Sequence, residues 1–193
     1  MLEKIGLLGG VLIIVADTPY AWNAFKRKTK PHRTTWFIIA LINAINLANQ
    51  HASGAKSSLL FFIGATIITF IVFLSSLYNG TGGLAKLDIV VLVGALLGLI
   101  VWHVLKSPVA SVIANTIVAL IGIIPTFIKA YHDPKSETKI TWLIGTAGAL
   151  CAVIAVGKLD FALLLFPIYA TLQQASLFTL IEIRERQLAK TWP

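Results

Sequence analysis

Seven long apolar runs, separated by polar or charged stretches, make up most of the chain. Each run is 17 to 23 residues long. At about 1.5 Å per residue, a helix of that length crosses a hydrocarbon core of about 30 Å. The pattern therefore predicts seven transmembrane helices. Their segments are Ile5 to Phe25, Thr34 to Gln50, Ser58 to Tyr78, Ile89 to Leu105, Val109 to Tyr131, Ile140 to Val156 and Phe161 to Ile183.

One unit of the sequence occurs twice: a helix with a proline near its end, a short charged loop, and a helix that opens with Thr-Trp. The first copy runs from Thr18 to Trp36 and the second from Ile124 to Trp142. Matching positions lie 106 residues apart without a gap, at Pro19 and Pro125, Ala24 and Ala130, Thr35 and Thr141, and Trp36 and Trp142. Such self-similarity indicates an internally duplicated domain.

The duplication predicts an all-α integral membrane protein with two parallel triple-helix repeats. Residues 1–80 form the first repeat, 81–108 contain a linker helix without a counterpart, and 109–193 form the second repeat with a short tail. The odd linker helix lets both repeats enter the membrane in the same direction. In this 3+1+3 arrangement a pseudo-two-fold axis along the membrane normal would put the first and fifth segments opposite each other around a central path.

Composition supports the lipid bilayer as the surroundings of the chain. Hydrophobic residues make up 57% of the chain and charged residues 12%, and the mean hydropathy is +0.84. A soluble globule could not be covered with so few polar residues. The net charge of +8 lies in short loops between apolar runs. That distribution orients helices in a bilayer, so we expect no nucleic-acid partner.

The basic residues predict the orientation in the cell membrane. Twelve of the sixteen lysines and arginines lie on one face: eleven in the loops after the first, third and fifth segments and in the C-terminal tail, and Lys129 near the end of the fifth segment. The opposite face holds Lys4, Lys56, Lys106 and Lys158. By the positive-inside rule, the N terminus lies outside and the C terminus in the cytoplasm.

Polar residues inside the segments mark a candidate path for a solute, because amides in hydrocarbon are costly and face the bundle interior. At 100° per residue, Trp36, Asn43, Asn46 and Gln50 of the second segment lie within about 80° of one another. Similar stripes occur on three other segments, at Thr66, Thr69, Phe73 and Ser76, at Ser111, Asn115 and Gly122, and at Tyr169, Gln173 and Ser176. The candidate substrate-binding residues are Asn43, Asn46, Gln50, Asn115, Tyr169 and Gln173.

The sixth segment lacks this polarity, since Ala149 and Ala152 stand where Asn43 and Asn46 would map. With Gly145 they favour close helix packing. The polar stripes have an alternative interpretation too, because Asn and Gln between helices often only join them.

Four residues are candidates for gating: Pro19 and Pro125 as hinges, and Trp36 and Trp142 at the start of the following segments. Proline removes a backbone hydrogen bond and disturbs a helix. The alternative for the tryptophans is the ordinary enrichment of that residue at a membrane interface.

Asp17 is the one carboxylate well inside a segment, and it is a candidate for proton coupling. The alternative is an ion pair with Lys26 or Arg27. Ile123 occupies the matching place in the second repeat, so only one half could carry the coupling.

Enzymatic and cofactor-dependent functions find no support in the sequence. The four histidines are scattered without metal-ligand spacing, and neither a nucleophile with its base nor a phosphate-binding glycine loop is present. The last segment has Gln173 and Gln174 where a retinal protein needs a lysine. We therefore expect no catalytic residue, no metal and no cofactor.

The seven segments, Pro19 and Pro125 near the ends of the first and fifth, the charged loops and the Thr-Trp openings resemble the SWEET and PQ-loop superfamily. That group includes sugar transporters, SemiSWEETs, PnuC-type vitamin-precursor transporters and the KDEL receptors. The run from Lys28 to Trp36 also resembles a group of bacterial membrane proteins, for which no substrate is implied.

The resemblance implies a small-solute transporter, a facilitator or proton-linked, for a neutral polar substrate such as a sugar or nucleoside-like vitamin precursor. Alternating access would come from rocking of the two triple-helix units. The rival hypothesis is a non-transporting receptor or accessory subunit, with a homo-oligomer or larger membrane complex as its setting. A polar cavity between the triplets would favour transport, and a core closed by side chains would favour the rival.

Overall fold

The protein is all-helical in the part that its structure, a computed structural model, describes. This part comprises residues 1–27, 31, 33–80 and 107–191 and seven single positions between 86 and 104. The helices are α1 (Leu2–Phe25), α2 (Arg33–Ala52), α3 (Leu59–Asn79), α4 (Pro108–His132), α5 (Lys139–Val156) and α6 (Phe161–Thr191), with a 3-10 turn at Pro134–Ser136. The predicted fourth segment, Ile89 to Leu105, lies outside the described residues except at single helical positions.

Five of the described helices are long and apolar enough to cross a membrane, which supports a multi-pass membrane protein: α1, α3, α4, α5 and α6. Helix α2 has 20 residues, which is also sufficient in length. Over a membrane-spanning length it is less apolar than the other five, because it carries the polar stripe that ends at Gln50.

Hydrogen bonds and close contacts fix the directions of the helices. Gly6 of α1 lies against Ser57, just before α3, and Asn79 at the end of α3 donates to the Ala24 carbonyl at 2.8 Å. Helices α1 and α3 are therefore parallel. Helix α5 is antiparallel to α1, since Leu2 lies beside Gly157 at one end.

Three more hydrogen bonds fix the directions of the remaining helices. Arg33 at the start of α2 donates to the carbonyl of Ser76 near the end of α3 at 3.0 Å, so these two are antiparallel. At the other end of α2, Gln50 donates to the Leu163 carbonyl in the first turn of α6 at 3.1 Å. Arg184 donates to the Tyr131 carbonyl at 2.8 Å, which joins the last turn of α4 to the C-terminal part of α6.

Helices α1, α3, α4 and α6 thus share one direction, and α2 and α5 run the opposite way. Helix α3 ends at one end of the bundle, and α4 begins at the other. The described residues Gly80 and Ser107 therefore lie at opposite ends of the bundle.

Neighbour relations follow the same order in both halves of the chain. Helix α3 packs against both α1 and α2, and α6 packs against both α4 and α5. Among the described residues, α1 and α2 do not pack closely along their backbones, and neither do α4 and α5, although single side chains reach across each pair. The halves meet where α1 packs against α5, over an extensive area, and where α2 packs against α4 over a smaller one.

The centre of the bundle is an apolar cluster to which all six helices contribute. Its members include Ile13, Ile42, Phe62, Val112, Ala149, Ala152 and Phe166. Ala149 and Ala152 are completely buried, which confirms that the small residues of the sixth segment serve close packing. Large apolar side chains cover much of the outer surface, as expected where lipid is the solvent.

Two glycine pairs bring α1 into backbone contact with its neighbours. A Cβ atom on Gly10 would lie 2.6 Å from the Leu60 carbonyl oxygen of α3, and one on Gly64 would lie 2.6 Å from the Gly10 carbonyl oxygen. On the other side of α1, a Cβ atom on Gly9 would lie 2.9 Å from the Gly148 carbonyl oxygen of α5. Helices in lipid associate largely through such packing, because the surrounding tails are as apolar as the side chains.

Replacing Gly10 with alanine should therefore destabilise the protein. The added methyl group must displace the α3 backbone, and overpacking of this kind costs about 1 to 3 kcal/mol. Thermal unfolding of purified protein in detergent measures the effect. The matched control is Gly122→Ala, because Gly122 is exposed in the middle of α4 and alanine is the better helix former. Equal unfolding temperatures for the two variants would contradict this account of α1.

Candidate solute-binding site

The polar stripe of α2 divides into residues with and without hydrogen-bond partners. Asn43 donates to the hydroxyl of Thr69 on α3 at 3.4 Å. Thr69 in turn donates to the Ala65 carbonyl at 2.7 Å. Asn43 therefore joins α2 to α3, as the alternative interpretation of the stripe predicts.

Asn46 and Asn49 have no such partner. Their exposed fractions are 0% and 1%, and neither the amide nitrogen nor the amide oxygen of either residue has a hydrogen-bond partner in the described part of the chain. Gln50, 1% exposed, uses its nitrogen on the Leu163 carbonyl but leaves its oxygen unpartnered. A buried polar group without a partner costs about 1 to 3 kcal/mol. Native proteins keep few of them, and each requires an explanation.

Sequence reasoning missed Asn49. It lies three residues after Asn46, about 60° away on the opposite side from Gln50, so it falls outside the stripe that was centred on Asn43 and Gln50. The signal that could have found it is its helical spacing from Asn46.

Helix α4 supplies polar groups on the facing side. Asn115 is 2% exposed and donates to the Ile42 carbonyl of α2 at 3.2 Å. Ser111, one turn earlier, is completely buried and its hydroxyl has no partner among the described residues. Because α2 and α4 are antiparallel, Ser111 lies near the level of Asn46, one turn after Ile42. Polar groups without partners therefore stand on both sides of the α2–α4 contact.

The structure separates two of the predicted site residues from this contact. Tyr169 and Gln173 line a groove of about 450 Å³ between α4 and α6, together with Ser176 and Thr116. Asn43, Asn46, Gln50 and Asn115 do not line it. Angular position on one helix groups Tyr169 with Gln173 correctly, but it does not reveal which neighbouring helix they face.

The two candidate gating tryptophans occupy similar surroundings. Trp36 packs on a cluster of Ala21, Ile68 and Val72, which belong to α1 and α3. Its indole nitrogen donates to the Tyr20 hydroxyl at 3.3 Å, and the two ring centroids are 4.9 Å apart. Trp142 packs on the corresponding helices of the second half, at Ala130, Leu177 and Ile181.

The two candidate hinge prolines lie within unbroken helices. Pro19 is part of α1, which continues to Phe25. Pro125 is part of α4, and its side chain lies outside what the structure describes.

Asp17 has no hydrogen-bond or ion-pair partner in the described part of the chain, although it is only partly exposed. Lys26, one of its two predicted alternatives, instead places its ammonium 4.9 Å from the centre of the Trp22 ring. The neighbouring Ala16 carbonyl accepts a hydrogen bond from Thr141 of α5 at 2.9 Å. Asp17 therefore adjoins the contact between α1 and α5.

Charged groups at the cytoplasmic ends predicted for α5 and α6 are paired. The Lys139 ammonium lies 2.7 Å from Glu182 and 2.6 Å from Glu185, and Arg186 lies 2.7 Å from Glu182. At the other end, Asp160 accepts a hydrogen bond from the Leu163 amide. Its pKa is lowered by the hydrogen bond from Lys158. No group of three metal-ligating side chains occurs among the described residues.

Replacing the unpartnered Asn46 by leucine should raise the stability of the empty protein by about 1 to 3 kcal/mol, because a buried amide without partners is removed. The matched variant Asn115→Leu should lower stability, since Asn115 bonds to the Ile42 carbonyl. Thermal unfolding without added solute compares the two. A loss of stability for Asn46→Leu equal to that for Asn115→Leu would mean that Asn46 merely joins helices.

Comparison of the chain with protein family models, with curated proteins and with solved structures gives no match. The resemblance to the SWEET and PQ-loop superfamily therefore stays a prediction from the quoted residues. What the protein does has to be argued from the site itself.

Proposed function

We propose that the protein is a membrane transporter for a small neutral polar solute, and that its binding site lies where α2 meets α4. One observation carries the proposal: Asn46 and Asn49 are fully buried, and both amide atoms of each lack a hydrogen-bond partner among the described residues. A bound solute with hydroxyl or amide groups would supply the missing partners. Sugars and nucleoside-like molecules have this chemistry, and they need no charged residue in the site.

The proposed architecture is the 3+1+3 arrangement of parallel repeats. Three observations support it. The described residues Gly80 and Ser107 lie at opposite ends of the bundle. The third helix of each half lies between the other two, and each of Trp36 and Trp142 packs on the first and third helix of its own half. With the basic residues in the cytoplasm, the N terminus would lie outside and the proposed site in the outer half of the membrane.

Alternating access would use the two largest contacts between the halves differently. The α1–α5 contact brings backbones together at Gly9 and Gly148, so it is suited to act as a pivot. The α2–α4 contact is smaller, and beside it Asn46 and Ser111 have polar atoms with no partner in the part of the chain that the structure describes. Water or solute would compensate these groups when α2 and α4 separate, which lowers the cost of opening there.

Asp17 is the proposed proton carrier, because it adjoins the α1–α5 pivot and has no partner among the described residues. Its protonation would alter the charge beside that contact and thereby shift the equilibrium between the two conformations of alternating access. Trp36, hydrogen-bonded to Tyr20, would act with Pro19 near the cytoplasmic end, and Trp142 with Pro125 in the other half.

A specific observation favours the rival function of a receptor or accessory subunit. The centre of the bundle is filled by an apolar cluster from all six described helices. A core closed by side chains in this way is what the rival function predicts. A protein that never opens would keep this core and would use its lipid-facing surface to pack against a partner.

Uptake by proteoliposomes distinguishes the two functions. A panel of radiolabelled uncharged sugars and nucleosides is tested by counterflow with wild-type protein, Asn46→Leu and the control Thr179→Val. Thr179 lies on α6 with its hydroxyl on the Ala175 carbonyl, away from the proposed site. We expect one class of solute to exchange, with affinity lowered about 5- to 100-fold in Asn46→Leu and unchanged in the control. Absence of exchange for all solutes would favour the rival. Exchange with equal affinity in Asn46→Leu and Thr179→Val would instead mean that the transport site does not include Asn46.

The same liposomes test the coupling. Asp17→Asn cannot exchange a proton, so a pH gradient should no longer drive accumulation, while counterflow without a gradient continues. If accumulation in response to pH persists in this variant, Asp17 is not the proton carrier. If the wild type shows no accumulation in response to a pH gradient, the protein is a facilitator.

A further inference from the structure

The groove between α4 and α6 is not part of the proposed solute site. Its walls are apolar, with Leu120, Ile123 and Phe127 on α4 and Leu165, Ile168 and Leu172 on α6. Leu120 is 52% exposed and Leu172 62% exposed on the outer surface of the bundle. In a membrane that surface faces lipid, so a molecule would enter the groove from the hydrocarbon phase and not from water.

Polar groups line one side of the groove at helical spacing. Tyr169, Gln173 and Ser176 follow one another along α6. The amide nitrogen of Gln173 is buried and has no hydrogen-bond partner among the described residues. The hydroxyl of Thr116, by contrast, is used on the Val112 carbonyl at 2.7 Å. An occupant of this groove would therefore need a hydrogen-bond acceptor opposite Gln173.

Depth in the membrane restricts what that occupant can be. Gln173 follows Phe161, the first residue of α6, by twelve positions, which corresponds to about 18 Å of helix. In a hydrocarbon core of about 30 Å this is close to the midplane. The headgroups and ester carbonyls of phospholipids remain near the interface, so they cannot supply the acceptor. The occupant must carry an acceptor group into the hydrocarbon.

We propose that the α4–α6 groove binds a lipid-soluble cyclic dione with an apolar tail, the chemical class of the isoprenoid quinones. Tyr169 and Gln173 stand one helical turn apart, about 6 Å along the axis, so the two donors can each meet one carbonyl at opposite ends of a ring. Phe127 and Tyr169 offer aromatic faces for the ring. A groove of about 450 Å³ has the size of ordinary small-molecule sites, and the tail would leave it between Leu120 and Leu172.

Binding of decyl-benzoquinone to the purified full-length protein in nanodiscs tests the proposal. Equilibrium dialysis against protein-free nanodiscs separates specific binding from partition into lipid. We expect saturable binding, weakened about 5- to 100-fold in Gln173→Leu and weakened in Tyr169→Phe, which keeps the ring and loses the hydroxyl. Thr179→Val, on the same helix but outside the groove, should bind like the wild type. Decylbenzene, with the same tail and no carbonyl, should not saturate.

Three results would overturn the proposal. Equal binding of decylbenzene and decyl-benzoquinone would identify a groove for hydrocarbon chains. Unchanged affinity in both folded variants, Gln173→Leu and Tyr169→Phe, would show that these polar groups do not bind the carbonyls of the ligand. Efficient cross-linking between copies through a cysteine at Leu172, competing with the probe, would identify a second copy as the occupant. Solute exchange that depends on Asn46 should survive Gln173→Leu, so failure here is distinguishable from failure of the transport proposal.

Discussion

Helix α1 lies in backbone contact with α3 at Gly10 and with α5 at Gly9. Each contact uses a glycine from both helices, Gly64 on α3 and Gly148 on α5. In lipid the hydrophobic effect does not draw apolar helices together, so close packing of this kind has to supply the attraction. The two halves of the chain are joined most extensively through this helix. The positions of α2 and α4, and therefore of the buried amides, depend on it.

The buried amides of α2 lower the stability that this close packing provides. Apolar packing excludes water, yet Asn46 and Asn49 of α2 lie fully buried with no hydrogen-bond partner among the described residues. Two amides left in this state would cost several kcal/mol on the scale of individual buried groups, about 1 to 3 kcal/mol each. A bound polar molecule, or a conformation in which the α2–α4 contact opens, would offset that cost. The tight contact at α1–α5 and the smaller contact at α2–α4 are the observations on which the proposed rocking rests.

Sequence periodicity predicted the apolar segments well, since the helices α1 to α6 coincide with six of the seven within a few residues at most ends. Length and hydropathy are properties of one segment at a time, and they determine where a helix begins and ends. Partners between helices are a different matter. Asn43 and Asn46 share a face and are separated by one turn, yet only Asn43 reaches a partner, Thr69 of α3. Nothing in α2 alone could reveal this, because the outcome depends on the register of α3 and α4 against it. The placement of Gln173 in a separate groove escaped prediction for the same reason.

Distances between spin labels in lipid nanodiscs test most directly whether the molecule rocks about the α1–α5 contact. With Cys151 replaced by alanine, one pair of labels at Ala52 and Val109 spans the α2–α4 contact, and a second pair at Leu2 and Lys158 spans the α1–α5 contact at the same end of the bundle. All four positions are exposed. If the molecule rocks about the α1–α5 contact, the first pair should show two distance populations, whose proportions shift when a transported solute is added. The second pair should show one narrow population. A single narrow population for both pairs, unchanged by every solute, would contradict this rocking.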